Sequence, residues 1–316
     1  MSEVDVSRRF ALKVLATGSV GVAARAEAHV EGAAPIGVEK PVAPKGAVGL
    51  LYDATKCIGC KACVSKCAEV NGLAPDTGDS GGKWQMPEDL NCQTRNIIKF
   101  FPGKDGEPQS FVKQQCMHCV DPSCVAACPF NALSKNGATG IVEWDGSKCL
   151  GCRYCEVACP YEVPKFEWAK VNPRIVKCEL CAHRLAEGRE PGCTEVCPTG
   201  AVVFGQRDAL LADAHQRLEE APKGTYFEDR VYGEKEGGGT QVLYLSGVDF
   251  TKLGLPALPE RSNAHWGTRV HGVVYKYMTG PLVLFAGMFA FIRRNWSKHV
   301  EHLHQDEEKS GDRPQF

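Results

Sequence analysis

The sequence lacks the marks of most catalytic families. There is no nucleophile elbow on a strand-to-helix turn, no dinucleotide fingerprint and no zincin helix, so the chain is not expected to carry bond chemistry of its own. Charge of one sign is missing too. The 37 Lys and Arg against 38 Asp and Glu give a formal net charge of −1, and nothing points to nucleic acid. No C-x-x-C is followed directly by His, which removes c-type haem attachment. Long periodic apolar segments are few, while Gly (33) and Pro (19) are plentiful, so the core is thin for 316 residues. Such a fold needs support from elsewhere, and bound metal supplies folding free energy that a thin core cannot.

Cysteine is what the sequence has in excess. Sixteen of its 17 cysteines form four quartets: Cys57, Cys60, Cys63 and Cys67; Cys116, Cys119, Cys124 and Cys128; Cys149, Cys152, Cys155 and Cys159; Cys178, Cys181, Cys193 and Cys197. The first and third follow C-x2-C-x2-C-x3-C, the spacing in which three thiolates take one cubane and the fourth reaches another. Zinc ribbons have no place for a third Cys three residues on, and Cys pairs so close in sequence bridge poorly as disulfides. Pro129, Pro160 and Pro198 follow the last cysteine of three quartets, turning the chain away as in ferredoxins; Ala68 stands there in the first. Sixteen thiolates predict four [4Fe-4S] clusters and a carrier of electrons. No Cys pair is left over for a [NiFe] centre. Cys92 stands outside the quartets and is expected to be a bystander thiol. His118, between two ligands, is expected to pack beside a cluster and to influence it by hydrogen bonding or charge.

The two ends carry addressing signals. Ser7-Arg8-Arg9-Phe10-Ala11-Leu12-Lys13, then a weakly apolar run and small residues through Ala28, resembles a twin-arginine export signal. That route moves folded proteins, so clusters can be inserted in the reducing cytoplasm before the thiols meet an oxidising compartment. Near the other end the uncharged, mostly apolar run 277–292, extended back to Val273, is expected to form one transmembrane helix stopped by Arg293 and Arg294. His299, His302 and His304 beyond it are expected to be a solvated tail.

Between these ends the sequence predicts an α+β, loop-rich fold of duplicated bacterial-ferredoxin-like modules. Strands are expected at 48–52 and at 141–145, each leading into a quartet, and at 96–101, 201–204 and 241–245; Asp208 is expected to cap an amphipathic helix. The insertion 68–115, rich in Gly, Pro, Asn and Asp, is expected to cover the clusters, and Gly237-Gly238-Gly239 to make a tight turn. The organisation is then a signal over 1–28, a linker over 29–46, a four-cluster domain over 47–250, a linker over 251–271, a span over 272–293 and a cytoplasmic tail over 294–316.

The quartet pattern resembles the sixteen-cysteine electron-transfer subunits of membrane-bound molybdopterin enzymes and hydrogenases. More narrowly, Gly49-Leu50-Leu51-Tyr52-Asp53-Ala54-Thr55-Lys56-Cys57, Gln115-Cys116-Met117-His118-Cys119-Val120-Asp121-Pro122 and Tyr232-Gly233-Glu234-Lys235-Glu236-Gly237-Gly238-Gly239-Thr240-Gln241-Val242-Leu243 resemble the ferredoxin-type subunit of periplasmic [NiFe] hydrogenase 2. The resemblance implies a nested sharing of ligands: Cys57, Cys60, Cys63 and Cys197; Cys178, Cys181, Cys193 and Cys67; Cys116, Cys119, Cys124 and Cys159; Cys149, Cys152, Cys155 and Cys128. It also implies a middle link, taking electrons from the large and small hydrogenase subunits and passing them to a multi-span quinone-reactive membrane subunit. The chain would work at the periplasmic face of the inner membrane, anchored in the bilayer with its C-terminus cytoplasmic. All sixteen positions are cysteine, so a [3Fe-4S] variant is not expected. The alternative within this superfamily is the equivalent subunit of a periplasmic formate dehydrogenase; outside it, a zinc-stapled structural protein or a cluster-based sensor.

Overall fold

The computed structural model describes residues 42–74, 89–103, 108–170, 173–262 and 264–310. The twin-arginine stretch lies outside the described residues. In chain order the elements are β1 (Val48–Asp53), α1 (Ala62–Val70), β2 (Asn96–Phe101), β3 (Ser110–Gln115), α2 (Ser123–Ala126), β4 (Leu133–Lys135), β5 (Val142–Trp144), α3 (Tyr154–Ala158), β6 (Lys165–Phe166), β7 (Ile175–Val176), α4 (Ala182–Ala186), α5 (Gly192–Glu195), β8 (Val202–Gln206), α6 (Arg207–Glu220), β9 (Val242–Leu245) and α7 (Ala264–Ser310).

The centre is a three-stranded sheet in the order β8-β1-β9, antiparallel on one side of β1 and parallel on the other. β1 reads Val-Gly-Leu-Leu-Tyr-Asp and is buried almost throughout, because both of its faces are covered. Leu51 points to an apolar cluster with Leu210 and Ala214 of α6, whereas Leu50 and Tyr52 join the larger core that holds several of the cysteines. Side chains alternate across a strand, so one sheet separates a supporting helix from the thiol-bearing side. Gly49 allows this packing. A Cβ there would stand 2.0 Å from the Gln241 carbonyl oxygen, which accepts the Leu50 N–H at 3.0 Å.

The remaining strands form three hairpins, β2–β3, β4–β5 and β6–β7. Each hairpin's second strand runs into a quartet, and the last cysteine of the second, third and fourth quartets is followed within a few residues by β4, β6 or β8. This is the strand–cysteine loop–helix unit repeated. The strand expected at 96–101 is β2. Its partner β3 was not foreseen; it lies in the insertion expected to cover the clusters. Two tyrosines of the central sheet hold β3 in place: Tyr52 Oη donates to the Phe111 carbonyl at 2.7 Å and Tyr244 Oη to the Lys113 carbonyl at 2.6 Å. Gln206, not Asp208, is the residue before α6; Asp208 lies in its first turn, where its charge favours the helix dipole. The three glycines expected to turn do so, all with positive φ (62°, 88° and 92°).

The expectation of a membrane span needs correction. α7 is one continuous helix with Pro281 inside it, and it runs on past Arg293 and Arg294 to Ser310. Among the described residues no helix is long and apolar enough to cross a membrane. The physical reason lies in the flanks and the first turn. The run 273–292 is about 30 Å long at 1.5 Å per residue, but Lys276 interrupts it and Thr279, Gly280 and Pro281 lower its apolar character.

Asp53 closes the sheet onto α6. It is fully buried and accepts from Thr55 N at 3.1 Å and Thr55 Oγ1 at 2.5 Å, from Tyr226 Oη at 3.1 Å and from Arg217 Nη1 at 3.4 Å. Removing the carboxylate strands the buried Tyr226 hydroxyl, while Arg217 keeps its pair with Asp213. Asp53→Ala is therefore expected to cost about 2–3 kcal/mol and to lower the thermal unfolding midpoint of anaerobically prepared protein; an unchanged midpoint would contradict this role.

Candidate metal centres

In every quartet the third and fourth cysteines are four residues apart, and a short helix carries that spacing. α1 bears Cys63 and Cys67, α2 leads from Cys124 to Cys128, α3 from Cys155 to Cys159, and α5 from Cys193 to Cys197. Residues four apart on a helix share a face. In every quartet, too, the residue before the second cysteine is left-handed: Gly59 (φ 66°), His118 (46°), Gly151 (71°) and Leu180 (52°). Glycine accepts this conformation freely, whereas His118 and Leu180 carry a strain of about 1–2 kcal/mol each. The turn aims backbone N–H groups at sulfur. Gly59 N donates to Cys57 Sγ at 3.5 Å and Leu180 N to Cys178 Sγ at 3.4 Å.

The fold brings the thiols together in four groups drawn from more than one quartet. In group A the charges of Cys57, Cys60 and Cys197 act on Cys63, and all four line one cavity. In group B, Cys178, Cys193 and Cys181 act on Cys67. In group C, Cys116, Cys159 and Cys124 act on Cys119. In group D, Cys128, Cys152 and Cys149 act on Cys155. The groups form a row. A adjoins B through Cys63 and Cys193, B adjoins C through Cys178 and Cys116, and C adjoins D through Cys155 and Cys124. Cys60 at one end and Cys152 at the other are exposed. Cys92 is half-buried, ahead of β2.

Three observations fit these groups to iron–sulfur clusters. First, each group gathers four thiols from two quartets within electrostatic reach of one another, the number of thiolates that one [4Fe-4S] cubane takes. Second, burial pushes the Cys63 and Cys116 thiols up to about 11 and the Cys155 and Cys193 thiols up to about 12. Bare thiols there stay protonated at neutral pH, and a polynuclear cation must displace the protons as it binds. Third, His118 is fully buried and has one ring nitrogen too many. Its Nδ1 accepts the Val142 N–H at 3.0 Å, which leaves Nε2 as the protonated nitrogen, and Nε2 has no hydrogen-bond partner among the described residues. Burial, Lys177 and Lys135 hold the ring well below its usual pKa, hence neutral. An orphaned N–H between Cys116 and Cys119 suits a sulfur acceptor.

The surroundings exclude water with aromatic rings. Tyr52 and Tyr244 meet edge to face at 5.4 Å, and Tyr232 continues the file at 6.4 Å from Tyr244 and 5.2 Å from Phe250. At the D end the picture reverses: Leu150, Tyr154, Val157 and Trp168 are exposed around Cys152, with the Arg153 guanidinium 3.6 Å over the Trp168 ring. Sequence reasoning named the cysteines and His118 but missed Lys113, Lys135 and Lys177, which are buried or half-buried among the groups. Lys113 stands among polar neighbours in Ser-Phe-Val-Lys-Gln-Gln, and Lys135 and Lys177 lie at the ends of short strands, so no local pattern marked them.

Comparison with known proteins points to the same kind of cofactor. Residues 108–207 match the 4Fe-4S dicluster domain family. The chain is 42% identical over 296 residues to the hydrogenase-2 operon protein HybA of Escherichia coli O157:H7, covering 84% of this chain and 89% of that protein. It is 34% identical over 270 residues to the nitrate-inducible formate dehydrogenase iron–sulfur subunit of Escherichia coli K12 (83% and 90%), and 33% identical over 273 residues to the formate dehydrogenase iron–sulfur subunit of Haemophilus influenzae (83% and 86%). The cofactors are four [4Fe-4S] clusters.

Gly59 tests the loop geometry. A Cβ there would meet the Phe111 ring at 2.3 Å at a backbone angle few side chains adopt. Gly59→Val is expected to lose one cluster's iron and sulfide, about a quarter of the total, measured by iron and acid-labile sulfide assay after anaerobic purification; full content would contradict the requirement.

Proposed function

The chain belongs to the family of ferredoxin-type iron–sulfur electron-transfer subunits of hydrogenase-2 and formate dehydrogenase complexes, and from that premise we propose that it links a periplasmic [NiFe] hydrogenase to a quinone-reactive membrane subunit. The observation that carries the proposal is the row of four thiol groups, buried in its middle and exposed at both ends. When bound, each [4Fe-4S] cluster supplies one-electron storage without proton chemistry. Groups A to D hold the clusters as the residue sets named above. α1 and α5 hold A and B one helical turn apart, α2 and α3 do the same for C and D, and the tyrosine file keeps water from the interior. The exposed apolar residues around Cys152 and Ile58 beside Cys60 support docking of redox partners at the two ends, where desolvation brings donor and acceptor close.

The twin-arginine stretch supports a periplasmic site of action. The apolar middle of α7, with Leu282, Val283, Phe285, Phe289 and Ile292 exposed, supports a position at the membrane in contact with an integral partner. Hydrogenase is favoured over formate dehydrogenase because the likeness to the hydrogenase-2 operon protein is greater over the same extent of chain.

Two experiments test this. Deleting the chain is expected to abolish hydrogen-dependent quinone reduction by membranes while sparing hydrogen-dependent viologen reduction by the hydrogenase. Loss of formate-dependent quinone reduction instead would transfer the chain to the formate enzyme. For the ligand sets, Cys159→Ser and Cys116→Ser are expected to abolish the same component in an EPR redox titration, although they come from different quartets, and Cys149→Ser a different one. If Cys159→Ser and Cys149→Ser removed one component together, the nested sharing would be wrong.

A further inference from the structure

Lys113 lies on β3 with none of its surface exposed. Its ammonium donates to Gln115 Oε1 on the same face of the strand, and among the described residues no carboxylate forms an ion pair with it. A buried charge with only a neutral partner is costly, so its compensation must come from another source. The charges that act on Lys113 are those of Cys193, Cys63, Cys178 and Cys67, one from group A and three from group B. Lys177 repeats the arrangement one step along. It is almost fully buried, donates to the Val142 carbonyl and, at 3.2 Å, to the Cys178 carbonyl, and likewise lacks a carboxylate partner among the described residues. Its charge acts on Cys116 and Cys124 of group C, while its backbone neighbour Cys178 belongs to group B. The junction between C and D is closed differently, by Leu133, Val142, Phe166 and Ile175 around Cys124 and Cys155.

We propose that Lys113 and Lys177 are fixed cations at the A–B and B–C junctions, placed to raise the reduction potentials of the groups on either side, with B the one group that adjoins both. The inference rests on the relay proposed above. As an electron arrives, negative charge at that centre grows by one unit, and a nearby buried cation favours the reduced state because low dielectric leaves the attraction unscreened. The lysines gain and lose nothing in the transfer; one electron enters each centre from one neighbour and one leaves to the next. The C–D junction, lined by apolar side chains, offers group D no such support. Both lysines are positioning residues, acting on the electron through the thiolate cage.

The test is an EPR-monitored redox titration of the anaerobically purified protein, with iron and sulfide counted in each sample. In Lys113→Met two of the four midpoints are expected to fall, each by at least a tenfold change in the reduced-to-oxidised ratio at fixed potential, about 59 mV for one electron. In Lys177→Met two are again expected to fall. A single centre is expected to move in both variants and another in neither. Fully loaded variants with unmoved midpoints would overturn the proposal while leaving the relay intact, whereas wild-type protein without four such signals would overturn the relay itself. Should Lys113→Met fail to load, Lys113→Arg keeps the charge. Loading with native midpoints supports a role for charge, and failure to load shows that shape rather than charge is required, which would overturn the proposal.

Discussion

Side chains four residues apart on a helix stand one above the other, and the rest of this protein depends on that fact. Each quartet ends in such a pair, on or beside a helix too short to be stable alone. The third cysteine turns into one group and the fourth into the next, so a single helical turn fixes the separation between neighbours. α1 and α5 do this between A and B, and α2 and α3 between C and D, while B and C meet through Cys178 and Cys116 to complete the row. The central sheet, the hairpins and α6 then serve mainly to hold the four turns in register, through contacts such as Tyr52 and Tyr244 reaching the carbonyls of β3.

Charge follows from the same packing. Sixteen thiolates drawn into a thin core would repel one another, and burial alone keeps the free thiols protonated. Metal binding reverses that preference, so folding of the centre and assembly of its cofactors are coupled. The neutral His118 ring, with its orphaned Nε2, and the lysines on β3 and before Cys178 are complementary to a negative, sulfur-rich occupant. None of these groups is needed by an ordinary apolar core, where each would be a cost.

Much of this was legible in the sequence because cysteine spacing is a local, nearly geometric signal. The ferredoxin repeats, the β1, β2 and β9 strands and the triple-glycine turn all follow from short patterns. What escaped was non-local. β3 lies at the end of a segment dominated by turn formers, and its strand character comes from pairing with β2 and from two distant tyrosines. Lys113 and Lys177 look like surface residues until the thiols around them are seen. Spacing alone left open which fourth cysteine joins which triplet, since that depends on how separate loops pack. The C-terminal helix was foreseen as a helix; its apolar run, interrupted early by Gly280 and Pro281 and bounded by Lys276 and Arg293, leaves no described helix long and apolar enough to cross a membrane.

The central claim is that sixteen thiolates in four groups hold four polynuclear clusters. The measurement that tests it most directly is metal and acid-labile sulfide per chain, together with low-temperature EPR after reduction, on protein kept anaerobic throughout. About sixteen iron and sixteen sulfide, with mutually interacting [4Fe-4S]⁺ signals, is the predicted result. Stoichiometric zinc without sulfide would contradict it and leave a metal-stapled structural protein.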